Sequence, residues 1–193
     1  MILDDLHRTV DLPLIGEMPV GDMAVPILLE MSESLPLRTI QIGRRPYLER
    51  YFVGINGSDP VYLHRFVEGD GDRYLHNHPW DTATATIIAG GYRERRMSHG
   101  GTVETRHLSA GDQNLLRADD LHQIISVQKE TWTLFTHGPW AHKWGFVERW
   151  NDDGTPVVRC DPEDGVHRLW WLTAPLGRDH PGRVGHSLLG DPA

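Results

Sequence analysis

Residues 76–91 read His76-Asn77-His78-Pro79-Trp80-Asp81-Thr82-Ala83-Thr84-Ala85-Thr86-Ile87-Ile88-Ala89-Gly90-Gly91. His76 and His78 end a predicted strand over 72–78. Side chains at i and i+2 on a strand share a face, so the two imidazoles are placed to bind one cation side by side. Pro79-Trp80-Asp81 then turns the chain. A second β-rich run covers 84–89, and the glycine pair closes it.

Further short β-rich runs lie on either side, at 61–67, 92–97, 102–108, 113–116, 122–127, 131–136 and 143–147. None has a helical period. Many short strands with Gly and Asp punctuation predict an antiparallel sandwich or barrel over 61–147. Residues 1–60 are cut by Pro13, Pro19, Pro26, Pro36 and Pro46, which leave room for a short helix at 27–34 and a strand at 51–55. Asn56-Gly57-Ser58-Asp59-Pro60 predicts a hairpin into the next strand. Residues 148–193 read as a C-terminal extension. Asn151-Asp152-Asp153-Gly154 forms a turn there, and Leu169-Trp170-Trp171-Leu172 forms an apolar anchor on the barrel. The expected division is therefore an N-terminal extension 1–60, a barrel 61–147 and an extension 148–193.

The composition agrees with one domain carrying appendages: 193 residues, 39% hydrophobic and 24% charged. The net charge of −8 disfavours a general nucleic-acid binder and an anionic-membrane binder. The single cysteine, Cys160, cannot form an internal disulfide. Asp4 and Asp5 stand where a secretion leader would carry bases, and no apolar run has bilayer length. A cytoplasmic protein is expected.

Twelve histidines raise the question of which converge. His76-x-His78 alone is a common pattern. His122, following Gly111-Asp112 and a strand, is alone more often structural than a ligand. In combination the pattern resembles the cupin family. Cupins carry a first motif G-x5-H-x-H-x(3,4)-E-x6-G and a second motif G-x5-P-x-G-x2-H-x3-N. His76 and His78 match the paired histidines, Gly90 closes the first motif, Gly111 opens the second, and His122 takes its histidine slot. Gly71 lies one residue off the opening slot. The glutamate slot holds Ala83, or Thr82 with the shorter spacer. Arg117, Asp119 and Ser126 replace the Pro, Gly and Asn of the second motif. His76 to Asp81, Gly90-Gly91-Tyr92, Gly138-Pro139 and Trp144-Gly145-Phe146 further resemble small uncharacterised bacterial and phage cupin-like proteins.

The resemblance implies an all-β, jelly-roll barrel and a three-histidine metal site of His76, His78 and His122. Asp81 is a candidate fourth ligand, though bracing the Pro79-Trp80 turn is the plainer role. Three neutral donors leave a divalent ion its full charge and open positions. Imidazole ligands suit Fe, Zn, Cu and Ni alike, so the set alone does not choose the metal; the resemblance implies Fe(II), with Zn, Ni or Mn as alternatives. Three-histidine cupins include Fe(II) dioxygenases, so an Fe(II) oxygenase acting on a small anionic substrate is the first expectation. A cupin-type isomerase or epimerase of a sugar or sugar nucleotide is the second, and a non-catalytic ligand-binding cupin the third. A homodimer is also expected.

Around the site, His64 and Arg65 are neighbours on one strand and face opposite ways. His64 facing inward is an acid–base candidate. Arg65 facing inward is a carboxylate clamp, although a surface pair is the plainer reading of Arg65. Arg73 is a second substrate-binding candidate. Tyr74, sharing the face of His76 and His78, and Tyr92 are catalytic candidates; packed barrel tyrosines are the plainer alternative. His137 and His142 rim the mouth or sit in loops. The seven tryptophans supply a stacking platform or fill the core. Arg93-Glu94-Arg95-Arg96 reads as a solvated face.

Overall fold

The computed structural model describes residues 8–42, 44–69, 74–97, 101–160 and 169–184. Arg73 lies outside them. Thirteen strands and one α-helix make up the described residues. A hairpin of β1 (Thr9–Leu12) and β2 (Gly16–Pro19) precedes helix α1 (Ala24–Glu33). Pro26 falls in the first turn of α1, where its missing N–H costs nothing. The remaining strands are β3 (Leu37–Ile42), β4 (Arg45–Asn56), β5 (Asp59–Phe66), β6 (Thr82–Ala89), β7 (Gly91–Met97), β8 (Val103–Ser109), β9 (Gln113–Arg117), β10 (Leu121–Val127), β11 (Thr131–His137), β12 (Gly145–Trp150) and β13 (Pro156–Cys160).

One sheet has six antiparallel strands in the order β3-β4-β5-β11-β6-β9. The second has the order β10-β7-β8. Residues 74–78 extend it: His76 and His122 exchange both backbone hydrogen bonds at 2.9 Å, Val147 N–H donates to Leu75, and β12 pairs with β13. The two sheets enclose a cavity. This is the all-β, antiparallel barrel that the sequence predicts. Of the strand expected at 72–78, residues 74–78 form a short bridging segment, and 72 and 73 lie outside the described residues.

β5 is buried on both faces from Val61 to Phe66, His64 and Arg65 included. Val61 and Leu63 face outward and join Leu28, Leu37, Ile88, Trp132 and Leu134 in a core covered by α1 and the β1–β2 hairpin. Tyr62, His64 and Phe66 face the cavity. The hairpin expected at 56–60 is the β4–β5 turn, where Gly57 takes φ +64°. Gly90 and Gly111 also have positive φ, at +63° and +95°. A Cβ at Gly90 would collide with Thr131, so that corner requires glycine.

The boundary expected at 60/61 falls inside a strand. β3 and β4 belong to the barrel's own sheet, so only residues before 37 lie on it as an extension. The proline-based cut failed because Pro36 and Pro46 sit at strand margins, where the ladder tolerates them. The boundary at 147/148 likewise falls within β12. Residues 169–184 fold back onto the barrel: Leu37 N–H donates to Pro175 at 2.9 Å, and Trp171 stacks on Phe52 at 4.2 Å between ring centres.

Candidate metal centre and its cavity

The ring nitrogens of His76, His78 and His122 lie within 4.8 Å of one another. His76 and His122 come together because their backbones form a bridge. His78 follows on the same face, and its Nε2 stands 2.8 Å from Nε2 of His122. Two imidazole nitrogens this close share either one proton or one cation.

His122 is oriented from behind. Its Nδ1–H donates to Oε1 of Glu94 at 2.6 Å, which leaves the Nε2 lone pair facing the cluster. Glu94, on β7, is fully buried. Burial alone would raise its pKa, but hydrogen bonds from His122 and Asn114, with the charge of Arg96, hold it below the ordinary carboxylate value. Asn114 Nδ2 donates to Glu94 at 3.0 Å and to the Tyr92 hydroxyl at 3.1 Å. Burial, followed by proximity to His122 and His76, pushes His78 well below the ordinary histidine value. A neutral, lone-pair-bearing imidazole is what a metal requires. Donor type, convergence and the buried carboxylate behind His122 therefore fit a divalent metal, for which the three histidines would be the ligands.

The cluster lines a cavity of about 400 Å³, within the usual range for small-molecule sites. Much of its wall is aromatic. Trp80 stacks on His137 at 4.2 Å, and Tyr62 stacks near Trp170 at 6.2 Å. The charged part comes from β4. Arg50 Nε donates to His64 Nε2 at 2.9 Å, and the guanidinium lies 5.3 Å from the Tyr62 ring and 5.9 Å from the Phe135 ring. Among the described residues Arg50 has no acidic partner. Burial lowers its pKa to about 10, and its charge in turn depresses His64, His78 and His137.

Several expected residues are placed differently. His64 lines the cavity, but Arg50 occupies its Nε2, and burial holds it well below the ordinary histidine value. Tyr92 also lines the cavity; burial, with Glu94 nearby, raises its pKa, so the phenol stays protonated. Tyr74 is 69% exposed and outside the cavity, because the strand register on which its parity depended does not extend to it. Arg65 is no substrate clamp. It faces the outer side of β5, bound by Glu130 through two hydrogen bonds of 3.0 and 2.8 Å and by Glu49 at 3.2 Å. Asp81 accepts hydrogen bonds from Thr82 in its own turn and is not among the converging donors. His137 lines the cavity; His142 does not. Trp132 is core, while Trp80, Trp140, Trp144, Trp170 and Trp171 face the cavity.

Sequence reasoning missed Glu94 and Arg50. The signal for Glu94 was available: it shares strand parity with Tyr92. Arg96 has the same parity, is buried, and is ion-paired with Asp120. Arg50 carried no signal of its own, since its place depends on pairing with His64 across the hairpin.

No protein-family model matches this sequence, and no curated protein matches it. Solved structures are similar over part of the chain. The iron(II) form of HppE with the alternative substrate (S)-1-HPP is 9% identical at a TM-score of 0.45, covering 56% of this chain and 58% of that one. An RmlC-like cupin from Shewanella frigidimarina is 19% identical at 0.39, covering 54% and 84%. A double-stranded β-helix protein from Klebsiella pneumoniae is 20% identical at 0.40, covering 57% and 91%. This chain thus matches little more than half of the HppE chain. Among the described residues, no helix is long and apolar enough to cross a membrane.

Proposed function

We propose that this protein is a metal-dependent oxygenase that binds Fe(II) through His76, His78 and His122 and acts on a small anionic molecule in the adjoining cavity. The observation that carries the reading is the convergence of three imidazoles in the wall of that cavity, one of them fixed by Glu94. A bound metal would hold substrate and dioxygen together and polarise them. The chain's own residues do the rest. Glu94 keeps His122 in the ligating tautomer. Aromatic walls exclude water and orient the substrate body. Arg50 supplies the positive charge that favours an anion.

The isomerase reading is weaker. It requires a free base, whereas Nε2 of His64 already accepts from Arg50. The test is oxygen uptake by Fe(II)-loaded protein over a panel of small acids, beside His78→Ala. Substrate-dependent uptake that is absent from the variant supports the reading. No uptake with any acid, together with isomerisation of a sugar nucleotide, overturns it.

A further inference from the structure

The Arg50 environment narrows the substrate class. One cross-strand row faces the cavity, in which Arg50 on β4 stands opposite His64 on β5, and His64 opposite Thr133 on β11. Nε of Arg50 is committed to His64, so only the edge formed by its two terminal nitrogens remains. That edge presents two parallel donors in one plane, the match for a carboxylate. The rings of Tyr62 and Phe135 flank the guanidinium, so the space continuing its plane favours a flat group. Beyond it, further rings line the cavity, including Trp80, His137 and Trp170. The Thr133 hydroxyl, fully buried in the cavity wall, has no hydrogen-bond partner among the described residues and can supply one more donor. Arg50 is half-buried in the cavity wall and meets no acid among the described residues, so an anion entering the cavity would find its charge unneutralised.

We propose that the substrate is an aromatic carboxylate, its carboxylate forked by the terminal nitrogens of Arg50 and its ring stacked among the cavity aromatics. His64 is a positioning residue: it fixes the plane of the guanidinium. This deepens the reading of the cavity as the substrate site, but the Arg50 contact needs no metal.

The test uses the metal-free full chain and follows quenching of tryptophan fluorescence, since five tryptophans line the cavity. The probes are benzoate, benzyl alcohol as its uncharged counterpart, and inorganic phosphate. Benzoate is expected to bind at least about tenfold more tightly than either control, and Arg50→Gln to weaken it by about 10- to 100-fold, the usual worth of charge-assisted hydrogen bonds. Arg93→Gln, at an exposed position of β7 away from the cavity, is expected to leave benzoate binding within about threefold. Where Arg50→Gln does not fold, Arg50→Lys serves, with loss of the preference over phosphate expected. Unchanged benzoate affinity in the Arg50 variant overturns the proposal. So does phosphate binding as tightly as benzoate, benzoate binding lost equally in Arg93→Gln, or no binding by folded wild type. Benzoate binding in a protein that takes up no metal would defeat the oxygenase reading and leave this site standing.

Discussion

The two faces of the β4–β5 hairpin handle charge in opposite ways. Outside, Glu49 stands opposite Arg65, and Arg65 is also forked by Glu130. Tyr51 donates a further hydrogen bond to Glu49 at 2.8 Å. Inside, one residue along, Arg50 stands opposite His64 and finds no acid among the described residues. The outer cluster is closed and holds the chain together: Glu49 also accepts from Val184 N–H and so ties down the C-terminal segment. The inner pair is open. Closed charge networks build the fold, whereas an open one beside converging histidines marks a site.

The comparison breaks most readily at Arg65. Arg65→Ala removes the cation that bridges Glu49 and Glu130 and should cost about 3–5 kcal/mol, the usual penalty for breaking a buried pair. For a chain of this size that corresponds to a fall in Tm of roughly 10 °C, read by thermal denaturation. A change of under 2 °C would mean that the outer network is not structural.

Glu94 comes next, as a buried charge serving the inner side. Glu94→Gln retains shape but weakens the acceptor for His122. Metal affinity, measured by competition with a chelator, should fall about 10- to 100-fold. An unchanged affinity would separate Glu94 from the centre.

Acid sensitivity sharpens the contrast further. His64 is held well below 6.5 when folded, chiefly by burial and then by Arg50. The unfolded chain therefore binds the proton more readily below that pH. The stability linked to His64 is present above about pH 6.5 and is lost as pH falls toward the depressed folded value. In metal-free protein, His64→Gln keeps an acceptor for Arg50 and should flatten this loss by up to about 1.4 kcal/mol per pH unit. Parallel pH–stability curves would show that His64 does not carry the effect.

The smallest effect belongs to Arg50 itself. Arg50→Gln removes an unpaired charge, so stability should stay within about 1 kcal/mol of wild type or rise. A loss as large as that of Arg65→Ala would make the inner pair structural too.

The barrel was legible because its signal is local. Strand runs and turn residues each follow from short-range chemistry, while the metal candidates and the glycines at 90 and 111 came from the resemblance to the cupin motifs. The remaining features depend on pairing between distant segments. Parity identifies His64 and Arg65 as facing opposite ways but not which is inside; the packing of α1 and the β1–β2 hairpin on the outer face decides that. Parity also misled at Tyr74, where the segment leaves the sheet. Glu94 was hidden among three arginines that resembled a solvated face, although Arg96 is itself buried against Asn114 and Asp120. Trp170 and Trp171 join the cavity only because residues 169–184 fold back over the barrel.

The measurement that bears most directly on the central claim is the metal content of the full chain after Fe(II) reconstitution, beside His76→Ala, His78→Ala and His122→Ala. The account predicts near-stoichiometric iron in the wild type and loss in each variant, with all four proteins folded. Wild type without bound metal, or metal retained in all three variants, would contradict it.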